Sequence, residues 1–295
     1  MTATDSPLIH ATGRVLAAVD ASTYAVSVAA HAAWAAARLG APLQFLHVLD
    51  RHPETAPIAD LSGNLVLGAH ESLLAKLAAV DEEHSRLAQE RGRMLLDEVR
   101  RTAVDQGVKD AEVTLRHGGL VETLQELEAD VRLFVLGKRG EHADFAKGHL
   151  GSELERVARA VHRPLLVASR AFRPIERIAI AFDGSATTRK GVEMVAASPL
   201  FRGLSCDVLM VGHDTPAARG DLEWAVGVLG QAGFDARTVL SPGDPEQVIG
   251  SHVSEAGIDL LVMGAYGHSR IRNLIVGSTT TAMLRSCQIP VLLLR

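Results

Sequence analysis

Short runs rich in β-branched residues, most of them largely apolar, alternate along this chain with longer stretches whose apolar positions recur at helical spacing. The runs fall at 14–19, 43–48, 112–115, 132–136 and 164–168, and again at 177–182, 206–211, 236–240, 259–263 and 290–294. They have strand length and are rich in Val, Ile and Leu. The Ala-, Leu- and Glu-rich stretches between them are long enough for helices. Strands that are apolar throughout belong in a parallel sheet covered on both faces. The alternation predicts a doubly wound, Rossmann-like α/β architecture with right-handed crossovers. In such sheets a ligand lies outside the carboxyl ends of the strands, where strand order reverses. The residues directly after each run are therefore the candidates for chemistry.

The pattern occurs twice. Arg14-Val-Leu-Ala-Ala-Val-Asp-Ala-Ser22 is matched by Arg177-Ile-Ala-Ile-Ala-Phe-Asp-Gly-Ser185. The offset is 163 for Asp20 and Asp183, and again 163 for Val48 and Val211, which end the second runs. Arg132-Leu-Phe-Val-Leu-Gly137 matches Asp259-Leu-Leu-Val-Met-Gly264, and Arg163-Pro164-Leu-Leu-Val matches Ile289-Pro290-Val-Leu-Leu, with offsets of 127 and 126. The first copy therefore has a longer middle, 51–101, with Pro53 and Pro57 and then a charged helical stretch from about 70 to 101. Two domains follow, 1–170 and 171–295, each with a five-stranded sheet; 295 residues are enough for two cores.

The most informative stretch follows the fourth run of the second copy: Gly264-Ala-Tyr-Gly267, nine residues, then Gly277-Ser278-Thr279-Thr280. Glycines let a backbone approach a ligand closely. A Ser-Thr-Thr start to a helix adds hydroxyls to its free N–H groups, a combination that binds phosphate. A tight strand–helix turn with an N-cap is the plainer reading of the same residues. This Gly-x2-Gly-x9-Gly-Ser spacing resembles the ATP-binding signature of the universal stress protein family. Asp183-Gly-Ser, the strand end at Val211, the Gly243-Asp-Pro turn and the final strand after Pro290 agree with it, and the likeness covers nearly the whole chain twice. The chain thus resembles the tandem, two-domain type.

The resemblance implies roles. Asp183 would lie against the nucleoside, and Val211 would hold the adenine edge through its main chain. Gly264 and Gly267 would border ribose and phosphates, and Gly277, Ser278, Thr279 and Thr280 would hold the phosphates. ATP or ADP is the implied ligand, with Mg²⁺ carried by the phosphates. A helix cap at Asp183 and plain strand core at Val211 are the simpler alternatives. The resemblance also implies pairing of 164–168 with 290–294, so that the copies pack as an intramolecular pseudo-dimer and cover two apolar edges. Dimerisation of the whole chain stays open.

The first copy departs from the signature. Asp20 and Val48 keep their places, but ten residues separate Gly137-Lys-Arg-Gly140 from Gly151-Ser152. Glu153 and Glu155 follow Ser152 and would repel a phosphate, while Lys138, Arg139 and Lys147 would attract one. A weaker second site is expected there.

Charge and composition narrow the partners. The net charge is −5, and up to residue 170 the chain has 19 basic and 23 acidic residues. Neither half is basic and only 4% of residues are aromatic, which argues against nucleic acid and anionic membranes as partners. The first ten residues lack the pattern of a secretory leader, and Cys206 and Cys287 form no disulfide framework, so a cytoplasmic protein is expected. No P-loop, dinucleotide fingerprint, nucleophile elbow or zinc spacing occurs. A slow ATPase in which His268 or an aspartate helps to activate water is one alternative. The other is a scaffold whose first domain binds a different ligand or partner.

Overall fold

The computed structural model describes residues 12–49, 67–140, 152–265 and 278–294. Gly151, Lys147, Gly267, His268 and Gly277 lie outside them. In chain order the first half contains β1 (Arg14–Ala18), α1 (Ala25–Leu39), β2 (Leu43–Leu49), α2 (Leu67–Asp105), β3 (Ala111–His117), α3 (Leu120–Leu127), β4 (Val131–Gly137), α4 (Ser152–Ala160) and β5 (Leu165–Ala168). The second contains β6 (Arg177–Ala181), α5 (Ala186–Ala197), β7 (Ser205–Val211), α6 (Pro216–Gln231), β8 (Ala236–Ser241), α7 (Pro245–Glu255), β9 (Leu260–Gly264), α8 (Ser278–Ser286) and β10 (Val291–Leu294). Every strand expected from the apolar runs is present.

The strands form one ten-stranded sheet in the order β3-β2-β1-β4-β5-β10-β9-β6-β7-β8. Within each half the neighbours are parallel, and only β5 and β10 run antiparallel. Val291 faces Val167, Leu292 faces Leu166 and Leu293 faces Leu165. The two expected five-stranded sheets are thus fused through the strands expected to meet. Pairing gives each apolar edge a partner for its backbone N–H and C=O groups.

Two cores line the faces of this sheet, and both cross the joint. One contains Val15, Phe45, Leu166, Leu292, Ile178 and Cys206. The other contains Leu16, Phe134, Leu165, Leu293, Leu261 and Met283. Alternate residues of β5 and β10 feed opposite cores, because side chains alternate along a strand. On α1 the alanines pack closely: Ala29, Ala32 and Ala35 are fully buried. Gly40, with φ 58°, ends that helix, its N–H bonding back to the carbonyls of Ala36 and Ala37. In the second half Thr215 and Asp244 cap α6 and α7, each with proline at the first helical position.

The charged stretch is the single helix α2, beginning slightly before the expected start. Residues 76–87 are exposed on every side, and packing begins near Gly92. A β-carbon there would lie 2.8 Å from the His47 ring and 2.8 Å from Leu115. The strand run of the second copy hides a buried acid, Asp207, which the apolar pattern does not explain. Arg237 grips both its oxygens at 2.6 and 2.9 Å, and His252 Nε2 lies 2.9 Å away. Burial alone would raise the Asp207 pKa. The hydrogen bonds and charges of Arg237 and His252 together outweigh it and hold the carboxyl below its usual range.

Candidate functional site

Strand order reverses between β1 and β4 in one half and between β6 and β9 in the other. Asp20 and Gly137–Gly140 follow the first pair, and Asp183 and Gly264 the second. The candidate residues among those described therefore stand at the two places where this architecture opens a crevice.

In the second half β6 ends at Ala181 and the chain turns through Asp183, Gly184 and Ser185 into α5. Asp183 Oδ1 accepts from the Ser185 N–H at 3.0 Å and from the Thr188 hydroxyl at 2.7 Å. Ser185 caps the helix by accepting from the Thr188 N–H at 3.3 Å. Asp183 itself is exposed. Its carboxylate is thus aimed by the first turn of α5, while the cap is the serine two residues on. Gly184 has φ +74°, and a β-carbon on it would lie 2.5 Å from Asp221 Oδ2, so only glycine fits without displacing that carboxylate.

Pairing of β6 with β7 ends at Ala181 opposite Leu209, two residues before Val211. Phe182 N–H still reaches the Leu209 carbonyl at 2.9 Å. Amide groups alternate sides along a strand, and the next residue, Gly212, bonds to β8 through Ser241. The main chain of Val211 therefore points past the end of β6, on the side where Asp183 stands. Gly264 closes β9, and α8 begins at Ser278. Ser278 is exposed and Thr279 half-buried, but Thr280 is 3% exposed and donates to the Gly264 carbonyl at 3.0 Å. Of the three hydroxyls, Thr280 ties α8 to the end of β9, leaving Ser278 and Thr279 toward the helix start.

The first half is arranged differently. Ser22 N–H donates to Asp20 Oδ1 at 3.1 Å, repeating the turn at Asp183. Val48 likewise lies two residues past the last pairing of β1 with β2. Gly140 presses on Asp20, with a β-carbon position 3.0 Å from Oδ2, and Gly137 on Tyr24, with 2.9 Å to its Cβ. A side chain at Gly137 or Gly140 would therefore crowd residues of the same half. The side chains of Glu153 and Glu155 already face arginines: Arg156 at 2.6 Å for the first, Arg159 and Arg285 at 3.8 Å for the second.

Lys138 does not serve as a phosphate-attracting residue of this loop. It is 7% exposed, and its ammonium crosses to the other half, donating to the carbonyls of Cys287 and Ile289. Cys287 directly follows α8, where the helix dipole favours a cation. Burial lowers the Lys138 pKa, yet two backbone acceptors hold it there. Arg38 makes a second such link, donating to the carbonyls of Leu200 and Arg202. Replacing Lys138 by alanine strips two acceptors of a donor and opens a gap. It is expected to cost about 2 kcal/mol of stability, measurable by urea unfolding.

Three residues that the sequence does not flag border the Asp183 turn. Arg189 on α5 donates from Nε to the Gly184 carbonyl at 3.1 Å and from its terminal nitrogen to Asp221. Its guanidinium lies 4.4 Å from the ring centre of Trp224, which stacks on Phe182 at 6.2 Å. The helical spacing of Asp221 and Trp224 marks one face of α6, but no local signal says what that face meets. Among the described residues, no group of His, Cys, Asp and Glu is placed to hold a metal ion, and no helix is long and apolar enough to cross a membrane.

A model of the universal stress protein family matches residues 12–169 and 211–295. Universal stress protein Slr1230 of the Synechocystis strain PCC 6803 is 37% identical over 284 residues, covering 95% of this chain and 99% of that protein. A universal stress protein from Archaeoglobus fulgidus has the same fold, with a TM-score of 0.68 at 19% identity over 95% of this chain and 98% of the other. So does PA1789, a functionally unknown protein from Pseudomonas aeruginosa, with a TM-score of 0.59 at 14% identity over 96% and 93%. With a family match over most of its length and a full-length relative, the chain belongs to the universal stress protein family.

Proposed function

We propose that the chain is an adenine-nucleotide-binding stress-response protein of the cytoplasm, regulatory rather than strongly catalytic. The observation that carries this reading is the convergence at the β6–β9 switch point. Asp183, the outward main chain of Val211 and Gly264 stand at the carboxyl ends of neighbouring strands, and Thr280 ties the start of α8 to Gly264. An adenine presents a donor and an acceptor along one edge, which suits a strand's main chain. A phosphate suits free N–H groups at a helix start. In this reading Gly267 and Gly277 complete the cradle, and Mg²⁺ arrives with the phosphates. The binding units are residues 1–170 and 171–295.

ATP and ADP should bind more tightly than guanine nucleotides, as titration calorimetry on the full chain would show. Equal affinity for GTP and ATP counts against the assignment. Phosphate release over many turnovers would instead support the ATPase alternative.

The second half is the tighter site. It keeps the full spacing and Ser278 and Thr279, whereas the first half has a loop longer by one residue, Glu153 and Glu155 at the helix start, and a Lys138 that bonds to the other half. A lost charge-assisted hydrogen bond weakens binding by about tenfold to a hundredfold. Gly277→Val should therefore remove most ATP binding and Gly151→Val little. The reverse result would put the functional site in the first half.

A further inference from the structure

We infer that Arg189 is a positioning residue for the second-half site, acting through the Gly184 turn to aim Asp183. The inference rests on the nucleotide reading of that site. One guanidinium makes three contacts: the Gly184 carbonyl, the Asp221 carboxylate and the face of Trp224. Gly184 is the residue after Asp183, and its backbone has φ +74°. Asp221 lies so close beneath it that a β-carbon would meet the carboxylate at 2.5 Å.

The turn is therefore clamped from two sides. Arg189 pulls on its carbonyl, and Asp221, held by the same arginine, fills the space a side chain would take. Trp224 carries the clamp on α6 and leans on Phe182, the residue before Asp183. Asp183 thus sits between two residues that are both held by the Arg189–Trp224 pair.

The first half has no such clamp. By the repeat offset of 163, Ala21 stands where Gly184 stands and Val26 where Arg189 stands. Val26 is 49% exposed. The same half lacks the full phosphate spacing. The clamp and the intact signature thus occur together.

A planar fork is needed to serve a carbonyl and a carboxylate while lying on a ring, and an ammonium cannot do all three. Arg189→Met should weaken ATP binding by about tenfold, and Arg189→Lys should not restore it. The deciding measurement is a double-mutant cycle with Asp183→Asn on the full chain, read by calorimetry beside thermal unfolding. If Arg189 works through Asp183, the double variant binds no more weakly than the weaker single variant. If Arg189→Met fails to fold, Asp221→Ala serves in its place in the same cycle, because it removes both the carboxylate that holds the guanidinium and the group that fills the space against Gly184.

Additive losses, or a loss of stability with unchanged affinity, would overturn the inference. ATP binding that Asp183→Asn weakens and Arg189→Met does not would overturn it alone. A wild-type chain that takes up no ATP would overturn the nucleotide reading as well.

Discussion

Leu292→Asp is expected to lower stability by more than about 4 kcal/mol and to split one unfolding transition into two. Leu292 is 1% exposed and pairs with Leu166, which is fully buried. An aspartate there places a carboxylate in the core with no cation opposite it, after removing a buried side chain whose loss alone costs about 2–5 kcal/mol. The position matters as much as the size. The β5–β10 ladder is the seam of the sheet, and both cores pass through it. While the seam holds, neither half can unfold without exposing the other's apolar surface. The chain contains two tryptophans, Trp34 on α1 and Trp224 on α6. Urea curves of Trp34→Phe and Trp224→Phe chains each report one half. The curves should coincide in the parent and separate when Leu292→Asp is added. Coincident curves with stability changed by less than about 1 kcal/mol would show that the seam does not couple the halves.

Acid is expected to act through a different buried group. His31 is fully buried on α1, its Nδ1 2.7 Å from the Ser27 carbonyl and its ring edge-on to Phe172 at 5.0 Å. Nδ1 therefore carries the proton, and Nε2 is buried with no hydrogen-bond partner. Burial pushes the His31 pKa from 6.5 down to about 4; the Ser27 carbonyl resists this shift and the nearby Lys138 charge adds to it. The unfolded chain takes up a proton below pH 6.5 that the folded chain refuses until about pH 4. Stability is whole above the unfolded value and falls through that window, by about 3 kcal/mol from this group. His31→Leu removes the titration and the orphaned nitrogen together. Its stability at pH 7 should stay within about 1 kcal/mol of the parent, and its loss on acidification should be smaller by about 3 kcal/mol. Parallel pH profiles for the two proteins would rule the mechanism out.

Eight strands were legible as runs of mostly buried apolar residues, which advertise themselves locally. The edge strands β3 and β8 are mixed in polarity and mostly not buried, and were legible from their β-branched residues and their place in the alternation. The seam was legible through the family resemblance, which implies that 164–168 and 290–294 pair; their apolar character says only that neither edge should stay bare. The glycine signature marked where to look, and of its glycines Gly137, Gly140 and Gly264 are among the described residues, beside the two switch points. What escaped were contacts between residues far apart in sequence. Lys138 stands between two loop glycines and reads as a phosphate ligand, yet its acceptors, Cys287 and Ile289, come from the other end of the chain. Arg189 and Asp221 look like two ordinary surface charges on separate helices until packing joins them over Gly184. Thr280 counts as one more hydroxyl in a polar run, and only the turn of α8 directs it inward. Composition and spacing carry no information about which way such side chains point.

The link from Lys138 to Cys287 and Ile289 has no mirror image. The repeat places Ala265 where a second lysine would stand, and Ala265 is 2% exposed. In an assembly of two identical chains, any residue on the dyad-related surface is present twice, and each change must suit both copies at once. A single polypeptide holding both halves lifts that requirement. It also keeps them at an effective concentration on the order of millimolar, so the contact between them can be lopsided and still stay closed. One half is then free to donate a buried cation and the other to accept it. By the same freedom one turn can carry the Arg189 clamp while its twin has Ala21 and Val26 in the matching places.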